Sequence, residues 1–438
     1  MRGMMFGHVC SEPGVGIEVP FSNDEWPLRK RLVFRFLFVY LALFAISTQL
    51  FPILLGIAGE YTPDLATITP LRQIVAWVGQ HVLGMDASSV APRYEGSDTP
   101  FHWALLFCIV VAAAVACLIW SIVDSKRSDY STLYRWSRLA LRFLLAGQML
   151  SYGLMKVFPS QMPFPPLTTL VSPFGNNTLT GMLWVSVGSS PAYTIATGIA
   201  ETLGGLLLLV PRTATLGALV CMVEMFQVFL LNVTYDVSVK VVSLHLFLLA
   251  VIILLPDMNR IISATLSLGI VRSNSQTELF SSRRANHVAQ AAQLAFAGWI
   301  AIPLVVLSWS EWHREGSVRT KPPLYGIWTI ESYSVGGLDR PPLLTDRTRW
   351  HRIIFDVHGE IDFQLMDSSI HTSSAVVDMT TRSIELADPA TAFHFERPAE
   401  DFLILKSDTG ARTVVIELKR MDLNSIPLVG GGFHLIQE

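Results

Sequence analysis

Polar side chains recur at helical spacing inside strongly apolar stretches of this chain. Gln148, Tyr152 and Lys156 follow one another at intervals of four residues, which places them on one face of a helix. An acid appears in each of two later stretches, Glu201 and Glu224. Groups of these types exchange protons and donate hydrogen bonds, so the pattern indicates a polar site in apolar surroundings.

A further polar group follows the second acid. Tyr235 and Asp236 stand in a short polar stretch, Lys240 comes four residues after Asp236, and His245 follows about one helical turn deeper. The candidate catalytic residues are Glu201, Glu224, Lys156, Tyr152, Tyr235, Asp236, Lys240 and His245. The candidate cofactor-binding residues are Tyr152, Lys156 and His245.

The surroundings of these groups decide what they do. A charge at the centre of a bilayer costs roughly 3 kcal/mol, so the acids and lysines are expected to pair with each other or the acids to stay protonated. A protonated Glu201 or Glu224 beside a lysine or tyrosine is a proton relay or a hydrogen-bonding site for a quinone carbonyl. The alternatives are a structural ion pair, lysines at span ends that reach the headgroups, and a His245 that only packs.

The stretches that carry these groups predict membrane spans. Apolar residues make up 51% of the chain and charged residues 15%. Predicted spans cover 32–57, 101–123, 138–157, 191–210, 213–232, 239–256 and 288–309, each near the ~20 residues that cross ~30 Å of hydrocarbon. Small residues around Glu201 allow a neighbouring helix to approach closely: Gly198, Thr202, Gly204 and Gly205.

The distribution of lysine and arginine predicts the orientation of these spans. One set of connecting segments holds Arg29, Lys30, Arg31, Arg35, Lys126, Arg127, Arg135, Arg138, Arg142, Arg212, Arg260, Arg272, Arg283 and Arg284. The opposite loops hold Arg72 and Arg93, with Lys156 and Lys240 at span edges. By the positive-inside rule the N-terminus is cytoplasmic and the C-terminal region lies outside the cytoplasm, either periplasmic or extracellular.

Two of the outer loops are long. Apolar residues recur at helical spacing in 65–84, which predicts a helix that either lies in the membrane interface or packs on the bundle. Segment 159–190 contains no Asp, Glu, Lys, Arg or His and is rich in proline. We expect it to cap the outer face of the bundle with its backbone covered by protein.

The pattern changes after a charged linker at 310–323. In 361–365 and 413–419 apolar and polar residues alternate, and turn-forming residues recur about every ten positions, which predicts short antiparallel strands closing as a barrel. The domain organisation is therefore a cytoplasmic tail at 1–28, a transmembrane domain at 29–309 and an extracytoplasmic barrel at 324–438. Near its start, Gly326-Ile-Trp328 resembles the Gly-x-Trp that opens lipocalin-like barrels.

Several function classes are disfavoured. A net charge of −3 does not suit a nucleic-acid partner. The cysteines, Cys10, Cys108, Cys117 and Cys221, show no paired spacing, so thiol–disulfide chemistry of the CxxC kind is not supported. No metal site is expected, because the histidine pairs lack further ligands. A transporter is a weaker option, because the core spans show no internal repeat.

Four of the spans, at about 135–260, resemble the DoxX-like family of bacterial and archaeal membrane proteins. The motifs that carry the resemblance are Tyr152-Gly-Leu-Met-Lys156, Glu201-Thr-Leu-Gly204-Gly205, Pro211-Arg-Thr213 with Leu216-Gly-Ala218, and the stretch from Asn232 through Lys240 to His245. The resemblance implies a four-helix core in the inner (cytoplasmic) membrane of a bacterium. The ending 431–438 is similar to the last strand of a subgroup of this family that carries an outer barrel. The short tail expected after that strand in the subgroup is missing here, which is the pattern expected of a truncated chain.

The family includes membrane subunits of a thiosulfate:quinone oxidoreductase, and it supplies no catalytic residues to carry over. The resemblance, together with the polar cluster, favours a membrane subunit associated with quinone-linked redox chemistry and a redox partner protein. The alternative is a non-catalytic anchor that presents a barrel for a lipophilic ligand or a partner protein. The predicted fold is thus an α-helical membrane bundle of about seven transmembrane helices followed by an antiparallel β-barrel.

Overall fold

The structure is a computed structural model that describes residues 25–57, 68–86, 96–266, 279–387, 392–407 and 413–432. Its helices are α1 (Leu28–Ile46), α2 (Leu50–Leu54), α3 (Thr69–His81), α4 (Pro100–Val123), α5 (Ser131–Val157), α6 (Leu167–Val171), α7 (Leu179–Gly188), α8 (Pro191–Leu209), α9 (Ala214–Thr234), α10 (Lys240–Leu254), α11 (Met258–Thr265), α12 (Arg283–Arg314) and α13 (Pro427–Gly430). Its strands are β1 (Gly326–Val335), β2 (Leu338–Asp339), β3 (Trp350–Phe355), β4 (Glu360–Leu365), β5 (Ile370–Asp378), β6 (Ser383–Leu386), β7 (Ala392–Ala399), β8 (Phe402–Ser407) and β9 (Val414–Arg420).

The protein spans a membrane through its helical part. Within the described ranges, five helical segments are long and apolar enough to cross a bilayer: Pro100–Val123, Pro191–Leu209, Ala214–Thr234, Lys240–Ser263 and Arg283–Arg314. The last of these runs through Pro303 without a break. The other two predicted spans correspond to α1 and α5, which carry cations among their apolar residues and run through the same bundle.

The helices have a basic end and a barrel end. At the basic end Arg35 donates to the Asp124 carbonyl across the α1–α4 pair at 2.9 Å, and Arg138 of α5 pairs with Asp257 at 2.7 Å. At the opposite end Phe158 and Trp309 bring α5 and α12 together with their ring centroids 5.6 Å apart, and α12 leads from there into the barrel. The cation-rich segments therefore meet at the end of the bundle away from the barrel.

The predicted first span, 32–57, is two helices rather than one. Helix α1 ends at Ile46 and the short α2 begins at Leu50, with Ser47, Thr48 and Gln49 between them. The hydroxyl of Thr48 donates to the Phe44 carbonyl at 2.7 Å, so a side chain occupies an acceptor at the helix end. Gln49 is exposed at this break, and its side-chain amide reaches Gln148 and Tyr152 of α5.

The two long loops at 65–84 and 159–190 are partly helical. Helix α3 packs on α4 and Val75 is fully buried between them, so packing on the bundle is the alternative that the structure favours for this loop. Segment 159–190 forms α6 and α7, and α7 begins at a Thr178 cap that accepts from the Gly181 amide at 3.0 Å. Residues 65–67 of the first loop lie outside the described residues.

The C-terminal region is a closed antiparallel barrel, as predicted. Strands β1 and β3 to β9 pair in sequence order, β9 returns to β1, and β2 extends the β1 hairpin. The predicted strands at 361–365 and 413–419 are β4 and β9. Trp328, Phe355 and Leu403 belong to the buried apolar cluster that fills the interior. The predicted ending 431–438 is not a described strand: 427–430 is helical, and 433–438 lie outside the described residues.

Helix α6 joins the barrel to the bundle. Its first amide, on Leu167, donates to an Asp356 carboxylate oxygen at 2.9 Å, and its last carbonyl, on Val171, accepts from Gln364 at 3.0 Å. Leu167 also packs with Ile327 and Ile354 on the outer face of the barrel. Since both ends of this short helix are satisfied by barrel side chains, segment 159–190 and the barrel form one packed unit.

Candidate functional site

The close packing of α5 against α8 positions the main charged groups. A Cβ atom at Gly198 would lie 2.6 Å from the Val157 nitrogen and 2.7 Å from the Gly153 carbonyl oxygen. A Cβ at Gly205 would lie 3.1 Å from the Ala146 carbonyl oxygen. The two backbones touch only because these positions lack side chains, so the predicted role of the small residues around Glu201 is confirmed.

Lys156 and Glu201 form a buried ion pair across this contact. The lysine Nζ lies 2.6 Å from Oε1 and 2.7 Å from Oε2 of the glutamate. The side chains are 11% and 2% exposed. Helix α5 ends beside Gly198, which is seven residues, or about 10 Å, along α8 from its first residue. Lys156 therefore stays inside the bundle instead of reaching the headgroups.

A cavity of about 110 Å³ opens beside this ion pair, between α5, α8, α9 and α10 and beneath segment 159–190. Its polar lining includes Tyr152, Lys156, Glu201, Glu224, Asn232 and Ser243. The volume is below the ~300–1,000 Å³ of sites for drug-sized ligands and closer to the ~150 Å³ of a cavity that holds benzene. The cavity therefore suits the head of a ligand that is about one ring in size.

Several polar groups on the cavity wall have hydrogen-bonding capacity to spare. Glu224 is half-buried and makes no ion pair or hydrogen bond with the residues that the structure describes. The amide oxygen of Gln161 is buried and has no hydrogen-bond partner among the described residues. Lys156 carries three N–H donors, and its bidentate bond to Glu201 uses two of them. A bound molecule with carbonyl or hydroxyl groups would satisfy these atoms.

Tyr152 joins the cavity to a second polar group. Gln49 donates to the Tyr152 hydroxyl oxygen and to Gln148 Oε1, the latter at 3.1 Å. Gln148, which is fully buried, donates back to the Gln49 carbonyl at 3.2 Å. The face predicted for Gln148, Tyr152 and Lys156 is therefore real, and Gln49 is the partner that sequence reasoning missed. Its only signal was the polar triplet 47–49 inside an apolar span.

His245 lies away from this cavity as a packing residue. Its Nδ1 bonds to the Val241 carbonyl at 2.7 Å, and its Nε2 bonds to the Tyr40 hydroxyl at 2.6 Å. Its ring stacks on Phe44 with the centroids 3.8 Å apart. Both nitrogens are occupied within the bundle, so the structure does not bring this candidate to the site.

The candidates Tyr235, Asp236 and Lys240 lie at the barrel end of α9 and α10, outside the cavity lining. Lys240 pairs with Asp236 at 2.8 Å, and Asp236 is 78% exposed. Asp98 accepts from the backbone amides of Lys240 at 2.5 Å and Val241 at 3.0 Å. Asp98 thus caps α10 from 142 residues away, a role with no local signature in the sequence.

The described part of the chain contains no group of three or more His, Cys, Asp or Glu side chains placed to hold a metal ion. Cys117 and Cys221 are buried and unpaired, and Cys108 is partly buried and also unpaired. Cys10 lies outside the described residues.

This protein is therefore a helical membrane protein with a C-terminal β-barrel. Its helical bundle holds a polar cavity, and segment 159–190, which covers that cavity, is hydrogen-bonded to the barrel. No family model matches the chain, and no solved structure matches it. The uncharacterised protein YwoB of Bacillus subtilis (strain 168) is 34% identical over 116 residues, which make up 26% of this chain and 73% of YwoB. The chain belongs to the family of YwoB. This relationship brings no activity with it, and the DoxX-like resemblance stays a prediction.

Proposed function

We propose that this protein is a membrane subunit of a quinone-linked redox system and that its cavity binds a quinone ring or a lipophile with the same hydrogen-bonding pattern. The observation that supports this proposal most directly is that Lys156, Tyr152 and Glu224, which has no partner among the described residues, all line a cavity about the size of one ring. Their chemistry matches a ligand with carbonyl acceptors. The DoxX-like resemblance of 135–260 supports the same proposal.

The proposed roles follow from the state of each group. The free N–H of Lys156 and the Tyr152 hydroxyl donate to a carbonyl oxygen of the ring. Reduction of a quinone to a quinol takes up two electrons and two protons. In this proposal a partner redox protein supplies both electrons. Glu224 delivers one proton to the reduced ring, because no other described group holds its carboxyl, and the Lys156 ammonium that donates to the ring carbonyl delivers the other.

A second candidate function rests on a different observation. The barrel holds both ends of α6 through Asp356 and Gln364, and its interior is filled by apolar side chains such as Trp328. A barrel built in this way suits a partner protein on its outer surface better than a lipophile inside it. In this version the bundle orients the barrel, and the Lys156–Glu201 pair only holds α5 to α8.

The proposed orientation places the basic end in the cytoplasm and the barrel outside it, in the inner membrane of a bacterium. It is supported by the cations that meet at the basic end, among them Arg35, Arg138 and Arg260. A cysteine introduced at exposed Glu385 on the barrel should react with an impermeant thiol reagent added to intact cells or spheroplasts. Reaction only after lysis would reverse the orientation.

Binding of a short-tailed benzoquinone to protein in nanodiscs tests the function. Trp184 lies on the cavity wall, so its fluorescence should be quenched by the bound ring and the signal should be lost in Trp184→Phe. Glu224→Gln should weaken binding about tenfold, the equivalent of about 1.4 kcal/mol, without loss of folding. The matched control is Glu315→Gln, an exposed acid beyond α12.

The two candidate functions predict different results. Saturable quenching that depends on Glu224, and a quinone in the organic extract of the purified protein, support the redox proposal. Absence of both would reject it in favour of the anchoring role. A barrel-binding partner that is retained by Glu224→Gln but lost when Asp356→Ala loosens α6 would support that second role.

A further inference from the structure

We infer that the cavity receives its ligand sideways from the bilayer, through a mouth between the barrel-end halves of α8 and α9. The ligand is then an uncharged amphiphile whose polar head lies at the Lys156–Glu201 pair and whose apolar tail leaves through the mouth. The identity of the head as a quinone ring rests on the proposed function. The route itself rests on the geometry of the α8–α9 hairpin.

The hairpin is tightly closed at its turn. A Cβ atom at Gly217 would lie 2.6 Å from the Leu208 nitrogen, and one at Gly204 would lie 2.9 Å from the Cys221 sulfur. The turn half therefore leaves no passage between the helices. Toward the other end, Thr197 of α8 and Val228 of α9 both line the cavity.

The exposure of the lining residues places the opening on this side. Tyr193 of α8 is 49% exposed, Gln227 of α9 is exposed, and Glu224 is half-buried, yet all three line the cavity. The lining residues on the opposite wall, such as Ser243 and Leu246 of α10, are buried. The cavity wall is therefore accessible from outside the bundle between α8 and α9.

The mouth lies within the hydrocarbon region. Thr197 is six residues from the start of α8 and Gln227 is seven from the end of α9, which places both about 10 Å inside the helix ends. Apolar side chains that face outward lie on the same helices, including Ile199 at 54% exposed and Phe226 at 53% exposed. The surroundings of the mouth are therefore lipid tails, from which an apolar ligand tail passes without cost.

The aqueous side of the cavity is closed by segment 159–190. Trp184 donates to the Gln161 carbonyl at 3.1 Å, and a Cβ at Gly188 would lie 2.2 Å from the Pro163 carbonyl oxygen. Met162 and Leu183 are buried on the same roof. A water-soluble charged substrate therefore finds no path, whereas a membrane-dissolved one reaches the mouth directly.

Cysteine labelling tests the route without any quinone. Ser243→Cys, in a chain whose native cysteines are replaced by alanine, places a thiol on the deep wall of the cavity. A lipid-soluble maleimide and a charged, water-soluble thiosulfonate are each added to nanodiscs, with rates scaled to those at Glu385→Cys on the barrel surface. Because a charge in hydrocarbon costs roughly 3 kcal/mol, the scaled rate of the maleimide should exceed that of the thiosulfonate about a hundredfold.

Filling the mouth should block the reaction. Val228→Trp narrows the opening and should slow the maleimide about tenfold, while Val223→Trp, on a lipid-facing part of the same helix, should change it less than about twofold. Thr197→Phe repeats the test from α8 if the first variant does not fold. Equal scaled rates for the two reagents, or no effect of a folded mouth variant, would overturn the route.

The same assay separates this inference from the proposed function. If the mouth variants block labelling but a short-tailed benzoquinone neither binds nor protects Ser243→Cys, the route stands and the ligand is a different amphiphile. If the benzoquinone binds but the thiosulfonate labels equally well, the proposed function stands and the lateral route is wrong.

Discussion

The Lys156–Glu201 pair provides the most direct test of the bundle, because each group is the buried counter-charge of the other. The lysine Nζ lies 2.6 and 2.7 Å from the two carboxylate oxygens, and Glu201 is 2% exposed. Removal of one partner from a buried pair costs about 3–5 kcal/mol, because the remaining charge is left in a medium of low polarity. We expect Glu201→Gln and Lys156→Met each to lower the free energy of unfolding by an amount of this order.

The double variant should recover most of that loss. Glu201→Gln combined with Lys156→Met leaves neutral groups of similar volume, and such replacements of buried pairs are often neutral or stabilising. If the double variant is close to neutral, the coupling between the two substitutions approaches the sum of the two single losses, about 6–10 kcal/mol, far above the ~0.2–1 kcal/mol of an exposed pair. A double-mutant cycle isolates this term from the effect of each substitution alone.

Reversible unfolding in mixed micelles, followed by tryptophan fluorescence as the denaturing detergent is increased, measures the four free energies. The matched control is the exposed pair of Lys406 and Glu396 on the barrel, whose side chains are 45% and 54% exposed. If each single variant at 156 or 201 loses less than about 1 kcal/mol, the two groups are solvated or face lipid. Losses that add in the double variant would also refute the pairing, and with it the site.

Three further predictions concern packing, capping and pH. Gly198→Ala should destabilise the bundle by about 1–3 kcal/mol in the same unfolding assay, because the added Cβ would meet the α5 backbone. The control Gly298→Ala should not destabilise it, because the space around that Cβ is open. Equal effects of the two substitutions would contradict the α5–α8 contact. Asp98→Ala should cost about 0.5–2 kcal/mol and speed hydrogen exchange at the first amides of α10, and unchanged exchange there would reject the cap. The Arg340 side chain, with the Thr348 amide, holds the pKa of Asp346 below its ordinary value, so this carboxylate stabilises its loop at neutral pH and less as the pH falls below about 4 toward its folded value. Asp346→Asn should therefore lower exchange protection of the Thr348 and Arg349 amides at pH 7, and a difference that persists undiminished in strong acid would count against the assignment.

The elements of this fold were largely predictable, because their signals are local. Six of the seven predicted spans correspond to single helices. The alternating segments 361–365 and 413–419 form strands β4 and β9. The exception is the first span, where hydropathy averaged over the polar triplet 47–49 hid the break between α1 and α2. Periodicity reports which face of an element is apolar, and that face is decided by neighbours within a few residues.

The site was predictable in kind but not in composition. The cost of charge in hydrocarbon predicted that the acids and lysines pair with each other or that the acids stay protonated, and in the structure Lys156 pairs with Glu201. It did not separate them from Lys240, which also lies near a span end but pairs with the exposed Asp236 at 2.8 Å and with Asp98 at 3.9 Å. What distinguishes the two lysines is that α5 ends deep in the bundle beside Gly198, whereas α10 begins at its capped end near the barrel.

The sequence by itself determined a membrane-spanning helical part, a C-terminal barrel, and the presence of buried acids and bases near Tyr152. Only the tertiary structure decided that Gln49 completes the polar network, that Asp98 caps α10, and that Asp356 holds α6 from 189 residues away. The physical reason is range. Burial and periodicity depend on neighbouring residues in the sequence. A hydrogen bond between distant segments depends instead on where each packed helix ends along the bundle, which no local pattern specifies.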